Sequence, residues 1–371
     1  MLVQRVVMAS SPLESWTVLG EDAAPVEPIE RYLACLTDIE RSPNTVKAYA
    51  HDLKDWFSFL SVQGLDWREV RLEDVGEFVA WLWLPPTART GAVAVLPSVE
   101  HHCGETTVNR KLSAVSAFYR HAARHGVDLG GLLTTWQPAG RRSTAWKPFL
   151  RHVAKSRPQQ RRAISLKTAR KLPRILTAAE AQAVLDACER LRDRLLFAVL
   201  FDSGMRIGEA LGLRHEDWAA AERELSVVPR LNDNGARTKS ATTRTIPVSA
   251  ELIRLYADYM HTEYGDLDSD YDYVFVNLWA APRGHAMTYA AAYDLVRRLR
   301  RRTGISFDPH WYRHTYATRL LRGGTPVEVV SKLLGHVSLT TTTETYGHLT
   351  AEDARKTLEA AGWFDGTEVR L

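Results

Sequence analysis

The chain has 371 residues, of which 45% are hydrophobic and 25% charged, with a formal net charge of +4. These values describe a globular protein long enough for two domains, each able to bury a core. They exclude a disordered or fibrous chain, and no segment approaches the roughly 18 apolar residues of a membrane span. Cys35, Cys103 and Cys188 stand far apart without metal-ligand spacing. That argues for a reducing compartment and against a disulfide framework or a zinc site. The triplet His101, His102, Cys103 is ligand-like in isolation, but no second ligand pair follows it. The N-terminus lacks a signal-peptide pattern, so a cytoplasmic protein is expected.

Taken in order, residues 1–25 show weak periodicity and read as a flexible tail. From Pro28 the spacing of Ile29, Tyr32, Leu33, Leu36 and Ile39 predicts a helix. Ser42 and Pro43 open a second, with Val46, Tyr49, Leu53, Trp56, Phe57 and Leu60 on its apolar stripe and Gly64 closing it. Residues 72–83 form a third, stopped by Pro85 and Pro86. After a loop over 87–104, Glu105 opens a fourth with Val108, Leu112, Val115, Phe118 and Tyr119 inward. This half reads as an all-helical bundle over 26–136. Thr45, Lys47, Thr107, Asn109, Arg110 and Lys111 form a polar face of the residue types that reach phosphate oxygens.

Residues 141–171 contain eleven Lys or Arg and no Asp or Glu. A basic run of that length, including Arg141, Arg142, Arg161 and Arg162, reads as an interdomain linker over 137–171 with a polyanionic partner. The second half, 172–371, begins with a capping box at Thr177 and Glu180, and an apolar helix follows over 192–202. After a turn at Ser203 and Gly204, Arg206 leads into a short helix that carries Glu209. Then comes the one clear sheet, from β-favouring runs at 225–231 and 243–248, with an edge strand over 213–218. Helices over 251–264 and 289–303 follow.

The stretch 308–346 holds a phosphate-like constellation. Asp308 and Pro309 start a helix on which His310 and Arg313, three apart, share a face. Gly323 and Gly324 end it, Thr325 and Glu328 have capping-box spacing for the next, and Gly335 ends that one beside His336. A further short helix carries Tyr346. Cationic and neutral donors followed by a tyrosine fit a phosphate held for nucleophilic attack.

On these residues the second half resembles the tyrosine recombinase (phage integrase) family over about 172–362. The run Gly204-Met205-Arg206-Ile207-Gly208-Glu209 matches the family's first arginine. Lys239 lies five residues before Arg244 in a hairpin ending Arg244-Thr245-Ile246-Pro247, His310 to Arg313 match the His-x-x-Arg box, and Leu333-Leu334-Gly335-His336 match the second histidine box. Tyr346 follows His336 by ten positions and takes the nucleophile's place. Each motif alone is common; six in order are not. The helical half, opening Ser42-Pro43-Asn44-Thr45-Val46-Lys47, resembles the family's core-binding, SAM-like domain.

The resemblance implies a mainly α fold with a small antiparallel sheet in the C-terminal domain. It implies site-specific recombination of double-stranded DNA through a 3′-phosphotyrosine intermediate and a Holliday junction, with neither metal ion nor ATP. Arg206 and Arg313 would clamp the scissile phosphate, Glu209 would hold Arg206, and Lys239 would protonate the leaving 5′ oxygen. His310 would handle protons, His336 would donate to the phosphate, and Arg244 stands among the DNA-contacting candidates. A tail helix over 350–363 would dock on a neighbouring subunit in a tetramer on two sites. Type IB topoisomerases share the chemistry, and a DNA-binding protein without turnover is the non-enzymatic alternative. The tail and the separate helical half favour the recombinase, and no catalytic position is missing.

Overall fold

The computed structural model describes residues 1–7, 14–89, 101–129, 134–137, 159–168, 173–239, 242–265, 267, 272–336 and 339–346. The chain divides into two compact units, Met1–Arg170 and Lys171–Leu371.

The first unit opens with two antiparallel strands, β1 (Leu2–Val7) and β2 (Glu14–Leu19). This corrects the expected flexible tail. Alternation along β2 turns Trp16 and Val18 inward, and both pack on the core of the helices that follow. Those helices are α1 (Glu27–Asp38), α2 (Pro43–Gln63), α3 (Leu72–Trp83) and α4 (Glu105–Ala123). The Ser42 hydroxyl caps α2 by accepting from the Thr45 amide at 3.2 Å, and Gly64 closes it at φ +66. Ile39, expected on the apolar stripe of α1, lies just past its end and is exposed. Trp56, Phe59, Phe78, Phe118 and Tyr119 fill the centre. Trp56 and Phe78 meet edge to face at 4.9 Å, and the Tyr119 hydroxyl is satisfied by donating to the Trp67 carbonyl at 2.8 Å. Strands β3 (Thr134–Gln137) and β4 (Gln159–Arg162) pair antiparallel. Ile164 and Leu166 then pack against the helical core, so residues 159–166, expected as open linker, belong to the first unit.

In the second unit, α5 (Ala178–Asp186) starts from the expected capping box: Thr177 Oγ1 accepts from the Glu180 amide at 3.2 Å and Glu180 accepts from the Thr177 amide at 2.8 Å. Helix α6 (Leu191–Ser203) is buried along most of its length and packs against α5, the short α7 (Ile207–Leu211), α8 (Ala250–Tyr259) and α10 (Pro309–Arg322). Its run 195–201 is apolar on all sides, as a hub position requires, and the buried Arg192 and Asp193 at its start pair at 2.6 Å. Strands β5 (Trp218–Ala219), β6 (Glu224–Val227) and β7 (Arg244–Pro247) form an antiparallel sheet in that order, with Leu225 opposite Ile246 and Val227 opposite Arg244. The expected edge strand over 213–218 is thus only its last residue and the next.

Helix α9 (Tyr289–Thr303) precedes α10; α11 (Val327–Leu334) and α12 (Leu339–Tyr346) complete the described chain. Asp308 caps α10 by accepting from the His310 amide at 2.9 Å. The expected capping box at Thr325 and Glu328 is absent, because Pro326 takes the cap position with no side-chain bond. The fold is mainly helical with one small antiparallel sheet in the C-terminal unit.

Candidate active site

Turns and helix ends bring Arg206, Glu209 and His336 near one another, and two buried arginines, Arg244 and Arg313, tie them. Arg206 sits at the N-cap of α7, set there by the turn after α6 that Gly204 makes at φ +62. One turn on, Glu209 is fully enclosed, with 0% of its side chain exposed. Its carboxylate is saturated. Oε1 accepts from Arg206 Nη1 at 2.9 Å and Arg244 Nη1 at 3.3 Å; Oε2 accepts from the Arg206 amide at 2.9 Å and Arg244 Nη2 at 2.6 Å. Burial pushes the Glu209 carboxyl up, but the bond and charge of Arg244, then those of Arg206, outweigh it and hold the group below the usual carboxylate range. It is therefore ionised and fixes Arg206.

Arg313, on α10, is 1% exposed. Its Nη1 donates to the Gly204 carbonyl at 3.1 Å and its Nη2 to the Leu334 carbonyl at 2.6 Å. Arg244 Nε donates to the neighbouring Leu333 carbonyl at 2.8 Å. The last carbonyls of α11, which a helix leaves without internal partners, are thus taken by arginines. The turn they hold, Gly335 at φ +63, delivers His336. His336 Nδ1 shares a hydrogen bond with Thr342 Oγ1 on α12 at 2.7 Å. Tyr346 is the last residue of α12, one helical turn beyond Thr342.

The histidines are neutral near pH 7. Burial, then Arg313, Arg206 and Arg244, lower His336 to about 4. His310 is lowered by desolvation first, then by Arg313, with Arg206 and Lys239 adding to it and Asp308 opposing. His314, one turn on, meets the His310 ring at 4.5 Å and is lowered to about 4 by burial and then by His310. Arg206, Arg313, Arg244, His310 and His336 therefore form one electrostatic neighbourhood.

Two cations keep capacity for a ligand. Arg206 retains 23% side-chain exposure, and among the described residues only Nη1 of its guanidinium has a partner. Lys239 is exposed and makes no hydrogen bond or ion pair among the described residues. The root of its loop is fixed: Asn234 Nδ2 donates to the Leu211 carbonyl at 3.0 Å and the Met287 carbonyl at 2.8 Å.

Several expected residues lie elsewhere. Arg244 is interior, not at a DNA-facing surface. Its strand alternates inward Arg244 and Ile246 with outward Thr245 and Pro247, a period of two readable in the sequence. Lys111 is buried, its ammonium donating to Asp52 at 3.2 Å and Asp55 at 2.6 Å. The Asn109 amide is spent on the Leu166 backbone, giving to its carbonyl and accepting from its amide, both at 2.9 Å. Neither side chain is available to a phosphate in this form. Arg110 donates to Asp52 at 2.5 Å yet remains half exposed. Lys47 is exposed and lies over the Trp16 ring at 4.5 Å. Thr45 and Thr107 are half-buried in first turns of α2 and α4. Arg161 and Arg162 lie in β4, placed by their backbone; Arg141, Arg142 and the tail over 350–363 fall outside the described residues. Three other tyrosines of this unit are engaged elsewhere: the buried Tyr259 and Tyr264 donate to the Val274 and Tyr273 carbonyls, and burial pushes half-buried Tyr256 up to about 12. Sequence reasoning passed over Thr342, for which a run of four threonines offers no distinguishing signal.

This arrangement is that of a phosphoryl-transfer site built on arginine. The chain matches the phage integrase family over residues 172–353 and the phage integrase N-terminal SAM-like domain over 29–126. It is 36% identical over 356 residues, 96% of each chain, to transposase A from transposon Tn554 of Staphylococcus aureus. It is 29% identical over 349 residues, 91% of this chain and 98% of the other, to tyrosine recombinase XerC of Mycobacterium tuberculosis. Among solved structures, its fold is similar to the Tn1549 transposon integrase in complex with circular intermediate DNA, at TM-score 0.61 and 17% identity over 89% of this chain and 98% of that one. It is also similar to the XerH site-specific recombinase bound to difH substrate, at TM-score 0.55 and 20% identity over 88% and 81%. The chain belongs to the tyrosine recombinase (phage integrase) family and is a site-specific recombinase of that family.

Proposed function

We propose that the chain cuts and rejoins the recombination sites of a mobile element, with Tyr346 as nucleophile. The observation that carries this reading is Arg206: fixed by a saturated Glu209, it keeps Nε and Nη2 without a partner among the described residues, in the same electrostatic neighbourhood as neutral His310 and His336. A planar, permanently charged fork suits the non-bridging oxygens of a phosphodiester. With Arg313 it would stabilise the charge of a pentacoordinate transition state. The Tyr346 phenolate would attack phosphorus and expel a 5′ hydroxyl, protonated by Lys239, while His310 manages the tyrosine proton and His336 donates to a phosphate oxygen. The 3′-phosphotyrosine conserves bond energy for resealing.

The first unit would serve as the core-binding domain and the second as the catalytic domain. Thr45, Lys47, Thr107 and Arg110 keep their place as phosphate contacts, with Arg141, Arg142, Arg161 and Arg162 joining them from the basic run. The protein would act in the cytoplasm, where its DNA lies, assembling as a tetramer on two sites through residues 350–371. The similarity of 36% to a transposase along nearly the full length favours transposition as the setting. A supercoiled plasmid carrying two copies of the DNA flanking its gene tests this against topoisomerase activity. Recombinant circles are expected, and truncation after Leu349 should abolish them while single-site cleavage persists. Relaxation of plasmids lacking the sites, without recombinants, would overturn the reading.

A further inference from the structure

We infer that Arg244 is a positioning residue that holds Arg206 and His336 in one geometry and links both to the strand carrying the Lys239 loop. This rests on the proposed cleavage at Arg206 and Tyr346. Its place in the chain and its contacts agree. Arg244 stands on β7, five residues after Lys239. Its two terminal nitrogens span both oxygens of Glu209, the carboxylate that orients Arg206. Its Nε takes the Leu333 carbonyl, three residues before His336. The backbone of that turn closes on it: a Cβ at Gly335 would lie 2.9 Å from Arg244 Nη1.

All three guanidinium nitrogens of Arg244 are engaged by Glu209 and the Leu333 carbonyl, so it orders the residues that meet DNA without meeting DNA itself. A guanidinium alone among side chains can bond three acceptors in one plane, so lysine cannot reproduce the joint. Arg313 binds the adjacent carbonyl of Leu334 and the carbonyl of Gly204. The two arginines therefore clasp one turn from two sides.

The groups facing Glu209 are Arg206 from its own turn, Arg244 from β7, His336 from the turn after α11 and Tyr289 from α9. Without Arg244 the burial of Glu209 is opposed by Arg206 alone and its pKa rises. As pH falls through that raised value Glu209 protonates and releases Arg206. An acid limb should then enter the cleavage profile that the intact enzyme lacks in the same range.

The test uses the full chain and a nicked duplex made from the DNA flanking its gene. It reads single-turnover formation of the covalent adduct from about pH 5 to about pH 9, with duplex affinity and thermal midpoint alongside. Wild-type adduct formation is the control for the underlying function; its absence would sink that reading and leave no rate to compare. Arg244→Met should cleave about 100-fold more slowly at similar duplex affinity, as misplacement of catalytic groups does, and should show the new acid limb. Arg244→Met with Glu209→Gln should recover the thermal midpoint and lose the limb but remain slow. Arg244→Lys, which keeps the charge, should remain at least about tenfold slow and decides the matter if Arg244→Met does not fold. Wild-type rates in Arg244→Lys, or in the folded double variant, would show that Arg244 only neutralises a buried carboxylate, and the inference would fail.

Discussion

Burial at single residues decides which charges serve DNA and which serve the fold. Lys111 and Lys47 have the same side chain on neighbouring helices, yet one is enclosed by Asp52 and Asp55 and the other is exposed and lies over the ring of half-buried Trp16. Removing one partner of a buried pair strands the other charge at a cost of about 3–5 kcal/mol. Lys111→Met should therefore lower stability by that order in urea denaturation and leave the salt dependence of DNA binding unchanged. Lys47→Gln should do the reverse, reducing the salt slope by about 1 with little loss of stability. His314 and His336 give the protein an acid sensitivity of defined sign. Both are lowered to about 4 in the folded state, against about 6.5 unfolded. Between those values the unfolded chain binds more protons, so stability is full above about pH 6.5 and falls as pH drops toward 4. The thermal midpoint should follow that course, and His314→Gln with His336→Gln should flatten it.

The helices of this protein were legible because their punctuation is chemical. Ser42 with Pro43, Thr177 with Glu180, and Asp308 with Pro309 all cap where their types imply. Less legible was whatever depends on a distant partner. The β1 and β2 hairpin holds because Trp16 and Val18 find the core of α1 and α2, which nothing within residues 1–25 announces. Arg244 read as a surface cation because its partners, Glu209 and the Leu333 carbonyl, lie 35 and 89 residues away. The proposed catalytic residues stand in the sequence as ordered motifs; how those motifs interlock is not written there. Close packing at α7 illustrates this. A Cβ on Gly208 would fall 1.8 Å from the Tyr289 hydroxyl oxygen, so Gly208→Ala overpacks the joint that carries Arg206. A loss of about 1–3 kcal/mol is expected. Tyr289→Phe in that background should restore part of it, because the hydroxyl is the obstructing atom. Equal stability of Gly208→Ala and wild type in denaturation would contradict this packing.

At the scale of the whole molecule, each of the two compact units, Met1–Arg170 and Lys171–Leu371, has its own core. Among the described residues no helix is long and apolar enough to cross a membrane. All but the last residue of the basic run fall within the first unit, and the proposed phosphate site lies wholly within the second. The proposed chemistry rests on one bond between one residue and DNA. A nicked suicide duplex from the DNA flanking the gene, incubated with wild type and Tyr346→Phe, measures it directly. Wild type should yield a covalent adduct whose DNA is attached through a 3′ phosphate to Tyr346. The Tyr346→Phe variant should give none while shifting the same duplex in a gel with equal affinity. An adduct that persists in Tyr346→Phe, or that maps to another residue, would contradict the assignment of the nucleophile and the mechanism built on it.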